Sequence, residues 1–359
     1  MKNRKTARIA SAAVACATLL ALSGCADKDA TATPDSAGGS GTTVVPDPDV
    51  NGDGKVIIGV LSPGDINDNG YYESFVTAAD EFAKEKGWTV IKRGNVPETE
   101  ALSAARALCQ QKVDMVALGA SELKDAIPAS EEAVCAKTAW YVPSSGNVQQ
   151  TPRIMLSTDD AAQSILTAGY AAGLMMEARG ATKAAFVAGM EVDFNINAST
   201  AFKAGVRSVL PDATVTTTYS GDQDDAAKAR EAVQAQMDQG AEVVYPYLGG
   251  STDAATTLAN SKNLITLTPG TDRCESTKPK FDISVLYSPG DYLTEALRMF
   301  ADGKLELGVE KVWTIGKDPL PAIKLCKKDP EIQKKLDEFV EKIAKGEIDP
   351  DAEVERLGK

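Results

Sequence analysis

The sequence predicts an α/β protein with two parallel sheets, each covered by helices. Short runs rich in β-branched residues alternate with stretches of helical periodicity from Lys55 onward, and the pattern restarts near residue 184. Of the 359 residues, 43% are hydrophobic and 6% aromatic, which is typical of a globular chain. A chain of this length usually divides into two lobes or domains. We therefore expect two similar lobes that face one another across a cleft.

The first series of elements lies between residues 55 and 179. Strands are predicted at 55–62, 88–94, 114–118, 139–142 and 153–158. Phe75, Ala79 and Phe82 recur at helical spacing in a helix that ends near Gly87. Further helices are predicted at 98–111, 121–135 and 159–179. This order predicts the first parallel sheet with its helices.

The second series repeats the pattern. Strands are predicted at 184–190, 214–220, 242–248 and 264–269, with helices at 197–209, 224–239 and 252–260. In parallel sheets, ligands bind beyond the carboxyl ends of the strands. No glycine-rich phosphate-binding motif follows any of the strands, which counts against a nucleotide-hydrolysing or dinucleotide-binding domain. We expect no cofactor.

The composition excludes several classes of function. The chain has no histidine, so it cannot form a Ser-His-Asp or Cys-His catalytic system or a His-ligated zinc site. The formal net charge of −13 disfavours nucleic acid, because binding to phosphates depends on Lys and Arg. We expect the protein not to be an enzyme; a carboxylate-driven nucleosidase or glycosidase is the rival from that class.

The amino terminus is typical of an exported lipoprotein. Residues 1–24 combine a basic start with a short apolar stretch, which is typical of a secretory signal peptide. Leu22-Ser23-Gly24-Cys25 resembles a bacterial lipobox, in which Cys25 would be lipidated; the alternative is a secreted protein with an incidental cysteine. Without the signal, the chain has 34 Lys and Arg and 51 Asp and Glu, so its formal net charge is −17. We therefore expect a lipid anchor at the extracytoplasmic face of the cell membrane, followed by a flexible linker that completes the segment 25–54.

Four cysteines remain after Cys16 and Cys25 are set aside. In an oxidising compartment an even number favours two disulfides, and we favour Cys109–Cys135 and Cys274–Cys326 among the three pairings; buried free thiols are the alternative. The spacing of these cysteines matches no zinc motif, so we expect no metal site.

Polar and aromatic residues recur where predicted strands end. The loop after the first strand holds Asp68, Tyr71 and Tyr72, and aromatic faces beside carboxylates suit a ligand that is part ring and part hydroxyls. The alternative is a turn whose Asp and Asn cap the helix while the tyrosines pack. Candidates at the other strand ends are Ser121, Asp159, Gly189, Phe194, Gly249 and Asp272, each of which singly would be an ordinary loop residue.

Residues 56–350 resemble the basic membrane protein family of bacterial lipoproteins, which are substrate-binding components of ABC importers. The resemblance is carried by LTAGYAAGLM (166–175), AAFVAGM (184–190), AFKAGVRSVLPDATV (201–215), YSGDQDDAAKAREAVQAQMDQGAEVVY (219–245) and KIAKGEIDP (342–350), the last similar to the closing helix of the family. It implies a type I periplasmic-binding-protein fold, with two Rossmann-like lobes and a hinge. Lobe 1 would cover about 55–158 plus a C-terminal part of the domain 55–359, and lobe 2 about 159–285.

Known members of this family bind purine nucleosides between aromatic rings and hold the ribose with carboxylates and a lysine. By position, the resemblance implies ligand contacts at Asp68, Tyr71, Asp159, Gly189, Phe194, Gly249 and Asp272. The chain departs from the family pattern at two positions. Tyr72 replaces an asparagine, and Tyr287 stands where the family places the lysine.

The resulting hypothesis is a monomeric, lipid-anchored binding protein that captures a small neutral ligand between its lobes and delivers it to an ABC permease and its ATPase. A purine nucleoside is the leading ligand, with Tyr71, Tyr72 and Phe194 stacking and Asp68, Asp159 and Asp272 accepting hydrogen bonds. The alternatives are a sugar or other small metabolite in the same fold, and a surface receptor that transports nothing.

Overall fold

The computed structural model describes residues 42–67, 71–144 and 148–359. The signal segment, Cys25 and the candidate Asp68 lie outside these ranges.

The described residues form strands and helices in the following chain order. The strands are β1 Thr43–Val45, β2 Ile57–Leu61, β3 Thr89–Arg93, β4 Met115–Leu118, β5 Ala139–Ser144, β6 Met155–Asp159, β7 Lys183–Ala188, β8 Thr214–Tyr219, β9 Val243–Tyr247, β10 Ile265–Thr268, β11 Ile283–Leu286, β12 Leu305–Leu307, β13 Val309–Trp313 and β14 Ala322–Leu325. The helices are α1 Tyr71–Lys86, α2 Ala101–Gln110, α3 Ala161–Arg179, α4 Asp193–Val209, α5 Ala226–Asp238, α6 Thr252–Asn260, α7 Pro289–Ala301, α8 Pro330–Ala344 and α9 Pro350–Leu357.

Two six-stranded sheets organise the described chain. The sheet of lobe 1 has the order β13-β6-β5-β4-β2-β3, and all its strands are parallel. The sheet of lobe 2 has the order β14-β11-β10-β9-β7-β8 and is parallel except for β14, which runs antiparallel to β11. The structure is therefore α/β with two parallel sheets, as the alternating pattern predicts. It matches a type I periplasmic-binding-protein fold.

Helices bury both faces of each sheet, which explains why the strands read as continuous apolar runs. In lobe 1, α1 and α7 pack together on one face, and α2 covers the other. In lobe 2, α3 and α4 cover one face, and α5 and α6 cover the other. Helices α3 and α4 approach closely because Gly169 and Gly205 lie against each other's backbone, where a Cβ atom would clash. The small residues of the 159–179 segment thus serve helix packing.

The chain crosses between the lobes three times. Asp160 connects β6 to α3, Tyr287 and Ser288 connect β11 to α7, and residues 314–321 connect β13 to β14. Residues 289–313 therefore belong to lobe 1, where β13 extends the sheet beside β6. Residues 322–359 belong to lobe 2, where α8 packs on α3 and α9 on α4.

Three local expectations differ from the structure. The segment predicted as one α-helix at 121–135 forms 3₁₀ helices at Ser121–Glu131 and Ala133–Cys135, because Pro128 has no N–H to donate and its ring clashes with an α-helical turn. The sequence placed 43–54 in the linker, yet β1 pairs with β12, and Asn51 donates a 2.9 Å hydrogen bond to Asp114. The expected closing helix at 342–350 instead spans the end of α8, a turn and the start of α9.

Two disulfides lie in the described chain. Cys109, on α2, joins Cys135, and Cys274 joins Cys326 just after β14. The second disulfide ties the long loop between β10 and β11 to the edge of the lobe 2 sheet. No helix in the described ranges is long and apolar enough to cross a membrane.

Candidate functional site

The three crossovers locate the candidate site. They leave the carboxyl ends of β6, β11 and β13, so the carboxyl edges of both sheets meet at the junction of the lobes. Loops at such edges are where parallel sheets bind ligands. The loops and helix starts at these edges are therefore the candidate ligand site, and the space between them is called the cleft.

Asp159 is a partly buried carboxylate at this junction. It ends β6, and its Oδ1 atom accepts a 2.8 Å hydrogen bond from the hydroxyl of Tyr292, which lies in the first turn of α7. Burial is the main cause that raises the pKa of Asp159 from the ordinary 3.8 to about 6; the hydrogen bond from Tyr292 lowers this pKa, and the charge of Asp160 adds to the rise. A carboxylate has about four acceptor positions, so Asp159 can accept further donors from a ligand.

A buried platform supports this pair. The Tyr292 ring lies 5.3 Å from the Trp313 ring, centroid to centroid. Trp313 donates from Nε1 to the Ser157 Oγ at 2.8 Å, and the Tyr141 hydroxyl lies 3.1 Å from the same oxygen. Ser157, Trp313 and Tyr141 are all nearly inaccessible to solvent. These contacts fix the floor of the site beneath Asp159.

Tyrosine side chains from both lobes surround Asp159. Burial raises the pKa of four of them, and the nearby Asp159 carboxylate raises each further; these are Tyr71, Tyr141, Tyr247 and Tyr292. Tyr71, Tyr141 and Tyr292 lie in lobe 1, whereas Tyr247 ends β9 in lobe 2. Because their pKa values are raised, these side chains remain neutral hydroxyls that can donate hydrogen bonds.

Tyr71 forms the lobe 1 wall of the cleft. Its side chain is 48% exposed, although protein surrounds it closely enough for burial to be the first cause of its raised pKa, with Glu122 adding to the shift. Such a combination is typical of a ring that lines an open cleft. Tyr72 packs edge-on against Tyr71, with centroids 5.3 Å apart and an interplanar angle of 81°, and its ring covers Gly64.

A tyrosine cluster forms the lobe 2 wall. The Tyr247 ring lies 5.7 Å from that of Tyr245 and 6.3 Å from that of Tyr287. Burial raises the pKa of Tyr247 to about 12 and raises the pKa of Tyr245 and Tyr287 well above the ordinary 10. Tyr245 is fully buried, so this wall offers the rings and neutral hydroxyls of Tyr247 and Tyr287, which are partly exposed.

The rim of lobe 2 is built around the loop that follows β8. Asp224 accepts a 2.6 Å hydrogen bond from the Gly250 amide, and the Gly249 amide donates to the Gln223 carbonyl at 3.1 Å. A Cβ atom on Gly249 would lie 2.5 Å from the Asp224 Oδ1. The glycines therefore allow the loops after β8 and β9 to pack closely at the carboxyl edge.

Phe194 stands at the start of α4 with 55% of its side chain exposed. The next residue, Asn195, is fully buried, and its Nδ2 donates to the Met190 carbonyl at 2.7 Å. This bond anchors the helix start, so the Phe194 ring projects from a fixed point on lobe 2.

The family model for "ABC transporter substrate-binding protein PnrA-like", called Bmp, matches residues 55–349. The chain belongs to the Bmp family. Its members are substrate-binding proteins of ABC transporters rather than enzymes, so the protein is an extracytoplasmic binding protein for a small molecule. The resemblance seen in the sequence is confirmed.

Solved structures share the fold of this Bmp protein. A solute-binding protein of an ABC transporter system from Conexibacter woesei has a TM-score of 0.64 at 20% identity, over 82% of this chain and 98% of that one. A corresponding protein from Aeropyrum pernix scores 0.59 at 16% identity, over 84% and 85%. GanP, a glucose-galactose binding protein from Geobacillus stearothermophilus, scores 0.51 at 17% identity, over 77% and 99%. No curated protein matches the sequence of the chain.

Within this Bmp fold, the structure brings some of the sequence candidates together. Tyr71 lies close enough to Asp159 for the carboxylate to raise its pKa, and the Tyr287 ring lies 6.3 Å from the Tyr247 ring in lobe 2. Ser121 begins a 3₁₀ helix beside Glu122, the residue that acts on Tyr71. The first-loop candidate Asp68 falls outside the described residues.

Asp272 already has partners. Its carboxylate accepts hydrogen bonds from the Lys324 ammonium at 2.6 Å and from the Cys274 amide at 3.0 Å. Although desolvation opposes the change, these contacts lower the pKa of Asp272. A ligand hydroxyl at this position would have to compete with a lysine and a backbone amide.

Sequence reasoning missed three side chains of the site, Tyr292, Tyr247 and Gln223. Tyr247 ends a predicted strand, and Gln223 lies in the loop after a predicted strand, so a search of the strand ends could have found both. Tyr292 follows a Ser-Pro-Gly start that signals a helix at a crossover. Among the described residues, no group of three or more Cys, Asp or Glu side chains is placed to hold a metal ion.

Proposed function

We propose that the protein is a lipid-anchored receptor that captures a purine nucleoside and delivers it to an ABC permease. The observation that carries this proposal is the pair of exposed aromatic rings. Tyr71 on lobe 1 and Phe194 on lobe 2 each stand at a carboxyl edge that faces the cleft. A planar base can stack between two such rings when the lobes close around it.

The surroundings of Asp159 suit the sugar part of such a ligand. Above pH 6 its carboxylate is mostly ionised, and it can accept hydrogen bonds from ribose hydroxyls. Tyr247 and Tyr287 add neutral hydroxyls on the opposite wall. Hydrogen bonds to a charged group contribute about 1.5–3 kcal/mol each, which favours ligands with hydroxyls over bare rings.

The charge of the cleft edges favours a nucleoside over a nucleotide. Carboxylates recur in the loops and helix starts at the carboxyl edges, namely Asp65, Glu122, Asp159, Asp160, Glu191, Asp193, Asp222, Asp224, Asp225, Asp253, Asp272 and Asp291. Two nearby cations are already paired, Arg273 with Asp253 and Lys324 with Asp272. A phosphate group would enter a negative potential, so we expect anionic ligands to bind weakly.

The ligand proposal is tested by a thermal-shift panel followed by calorimetric titration. Adenosine, guanosine and inosine test the nucleoside, AMP is the matched anion, and ribose and galactose test the sugar alternative. We expect at least one purine nucleoside to raise the melting temperature and AMP to act much more weakly. If the sugars stabilise the protein and no nucleoside does, the nucleoside assignment fails.

The anchor is tested separately. Metabolic labelling with a radioactive fatty acid in a bacterial host should label the wild type, whereas Cys25→Ser should be unlabelled and released from the membrane. An unlabelled wild type would favour a secreted protein. Transport is tested by deleting the ABC permease that works with this protein, which should abolish nucleoside uptake but leave binding intact.

A further inference from the structure

We propose that Tyr292 is a positioning residue, whose hydroxyl holds the Asp159 carboxylate in the orientation that accepts the ligand. This inference rests on the proposed function because it takes Asp159 as a ligand contact. It adds a residue that touches Asp159 and acts on the ligand through it.

The bond joins two of the connections between the lobes. Asp159 is the last residue of β6, just before the first crossover, and Tyr292 lies in the first turn of α7, just after the second. The hydroxyl of Tyr292 lies 2.8 Å from Oδ1 of Asp159 although 133 positions separate them in the chain. The orientation of the carboxylate is thus tied to the segment that links the two lobes.

Tyr292 is itself held in place. Only 4% of the residue is exposed, and its ring packs on Trp313, whose Nε1 donates to the buried Ser157 Oγ. Trp313 also pairs with Asp159 across neighbouring parallel strands. The Tyr292 hydroxyl and the Asp159 carboxylate are therefore fixed by one rigid floor, and the bond costs little side-chain entropy to maintain.

The groups around Asp159 make the role of Tyr292 measurable. Those that face it are Asp160 on its own segment, Tyr71 from α1, Tyr141 from β5, Tyr247 from β9 and Tyr292 from α7, with Asp291 beside Tyr292. Burial and Asp160 raise the pKa of Asp159, whereas the hydrogen bond from Tyr292 lowers it. Loss of this hydroxyl should therefore move the pKa of Asp159 upward.

The decisive experiment compares Tyr292→Phe with Tyr141→Phe. Both changes remove one buried hydroxyl and keep the ring, but the Tyr141 hydroxyl bonds to Ser157 rather than to Asp159. The carboxyl carbons of ¹³C-labelled aspartates are followed by NMR in the ligand-free protein as the pH changes. The signal of Asp159 is assigned from its loss in Asp159→Asn.

We expect the wild-type signal to titrate near pH 6 and the midpoint of Tyr292→Phe to rise by about one pH unit. Tyr141→Phe should leave the midpoint within a few tenths of a unit. An unchanged midpoint in Tyr292→Phe, or an equal rise in Tyr141→Phe, would overturn the proposal. Circular dichroism checks that both variants fold.

A second measurement follows adenosine affinity between pH 5.5 and 8. If Tyr292 positions Asp159, the pH at which affinity falls should be higher in Tyr292→Phe than in Tyr141→Phe. If wild-type protein binds no nucleoside, the proposed function fails, yet the NMR titration still decides whether Tyr292 controls Asp159. The two failures are thereby distinguishable.

Discussion

Gly189 lies so close to Gln223 that a Cβ atom at position 189 would be 2.6 Å from the side-chain Cδ of Gln223. Gly189 follows β7, and Gln223 belongs to the loop after β8. The contact therefore joins two loops at the lobe 2 rim of the cleft. A larger side chain at position 189, near the end of the AAFVAGM segment, would have to displace the Gln223 side chain.

Gly189→Ala should displace the Gln223 side chain and loosen this rim. Because Gln223 is flexible, we expect a stability loss of only about 1 kcal/mol, together with weaker adenosine binding. Urea unfolding and calorimetry measure the two effects.

Gln223→Ala is the matched partner for this prediction, since it removes the atoms that clash. The double variant should recover most of the loss caused by Gly189→Ala, with a coupling of about 0.5–1 kcal/mol. If the losses in unfolding free energy of the two single variants simply add in the double variant, the contact between positions 189 and 223 does not contribute to the stability of the rim.

Phe194→Ala should weaken nucleoside binding without unfolding the protein. Removal of an aromatic ring that stacks on a base costs about 1–3 kcal/mol, which corresponds to about a 5- to 150-fold increase in Kd. Because Phe194 is 55% exposed, the melting temperature of the Phe194→Ala variant should differ little from that of the wild type. Ile196→Ala on the same helix, where the side chain is 38% exposed, is the control and should retain affinity. Equal affinities for adenosine in all three proteins would exclude Phe194 from the site.

The sequence could predict what depends on local periodicity. Strands such as 184–190 and 242–248 follow from their apolar runs, and the carboxyl-edge rule identifies Asp159 and Tyr71 as neighbours of a cleft. The type of helix at 121–135 was predicted wrongly, because the apolar pattern of this segment fits α and 3₁₀ geometry alike and Pro128 favours the 3₁₀ form.

Long-range pairing could not be predicted in this way. The Trp313 indole bonds to Ser157 across 156 positions, and Tyr292 bonds to Asp159 across 133. These contacts exist because β13 returns to the lobe 1 sheet beside β6. Periodicity indicates which face of an element is buried, but it does not indicate which distant strand lies beside that element. The contacts of Trp313 with Ser157 and of Tyr292 with Asp159 could therefore not be predicted from the sequence.

Removal of either disulfide should destabilise the protein. A cross-link restricts the unfolded chain more when it closes a longer loop, and the separations are 26 positions for Cys109–Cys135 and 52 for Cys274–Cys326. The entropy model gives about 3.5 kcal/mol for the first and about 4 kcal/mol for the second. Urea unfolding of the two double Cys→Ser variants, with the oxidised wild type as the reference, measures these losses. Wild-type stability in both variants would show that neither bridge forms in solution.

Asp159→Asn should stabilise the ligand-free protein at pH 7 while weakening nucleoside binding. The folded protein keeps the Asp159 proton up to about pH 6, whereas the unfolded chain releases it near the ordinary pKa of 3.8. Stability therefore falls as the pH rises from 4 to 6, and above pH 6 the cost of the buried charge is fully present. Since one pH unit corresponds to about 1.4 kcal/mol, this cost is at most about 3 kcal/mol.

Asparagine carries no charge at any pH in this range, and its carbonyl oxygen can still accept from Tyr292. Asp159→Asn should thus exceed the wild type in unfolding free energy at pH 7 and match it near pH 4. Asp272→Asn is the matched control with the opposite sign, because Lys324 helps to hold the pKa of Asp272 below its ordinary value despite partial desolvation. That variant should not gain stability at pH 7. Urea unfolding at both pH values decides the matter, and an Asp159→Asn variant less stable than the wild type at pH 7 would contradict a destabilising carboxylate in the cleft.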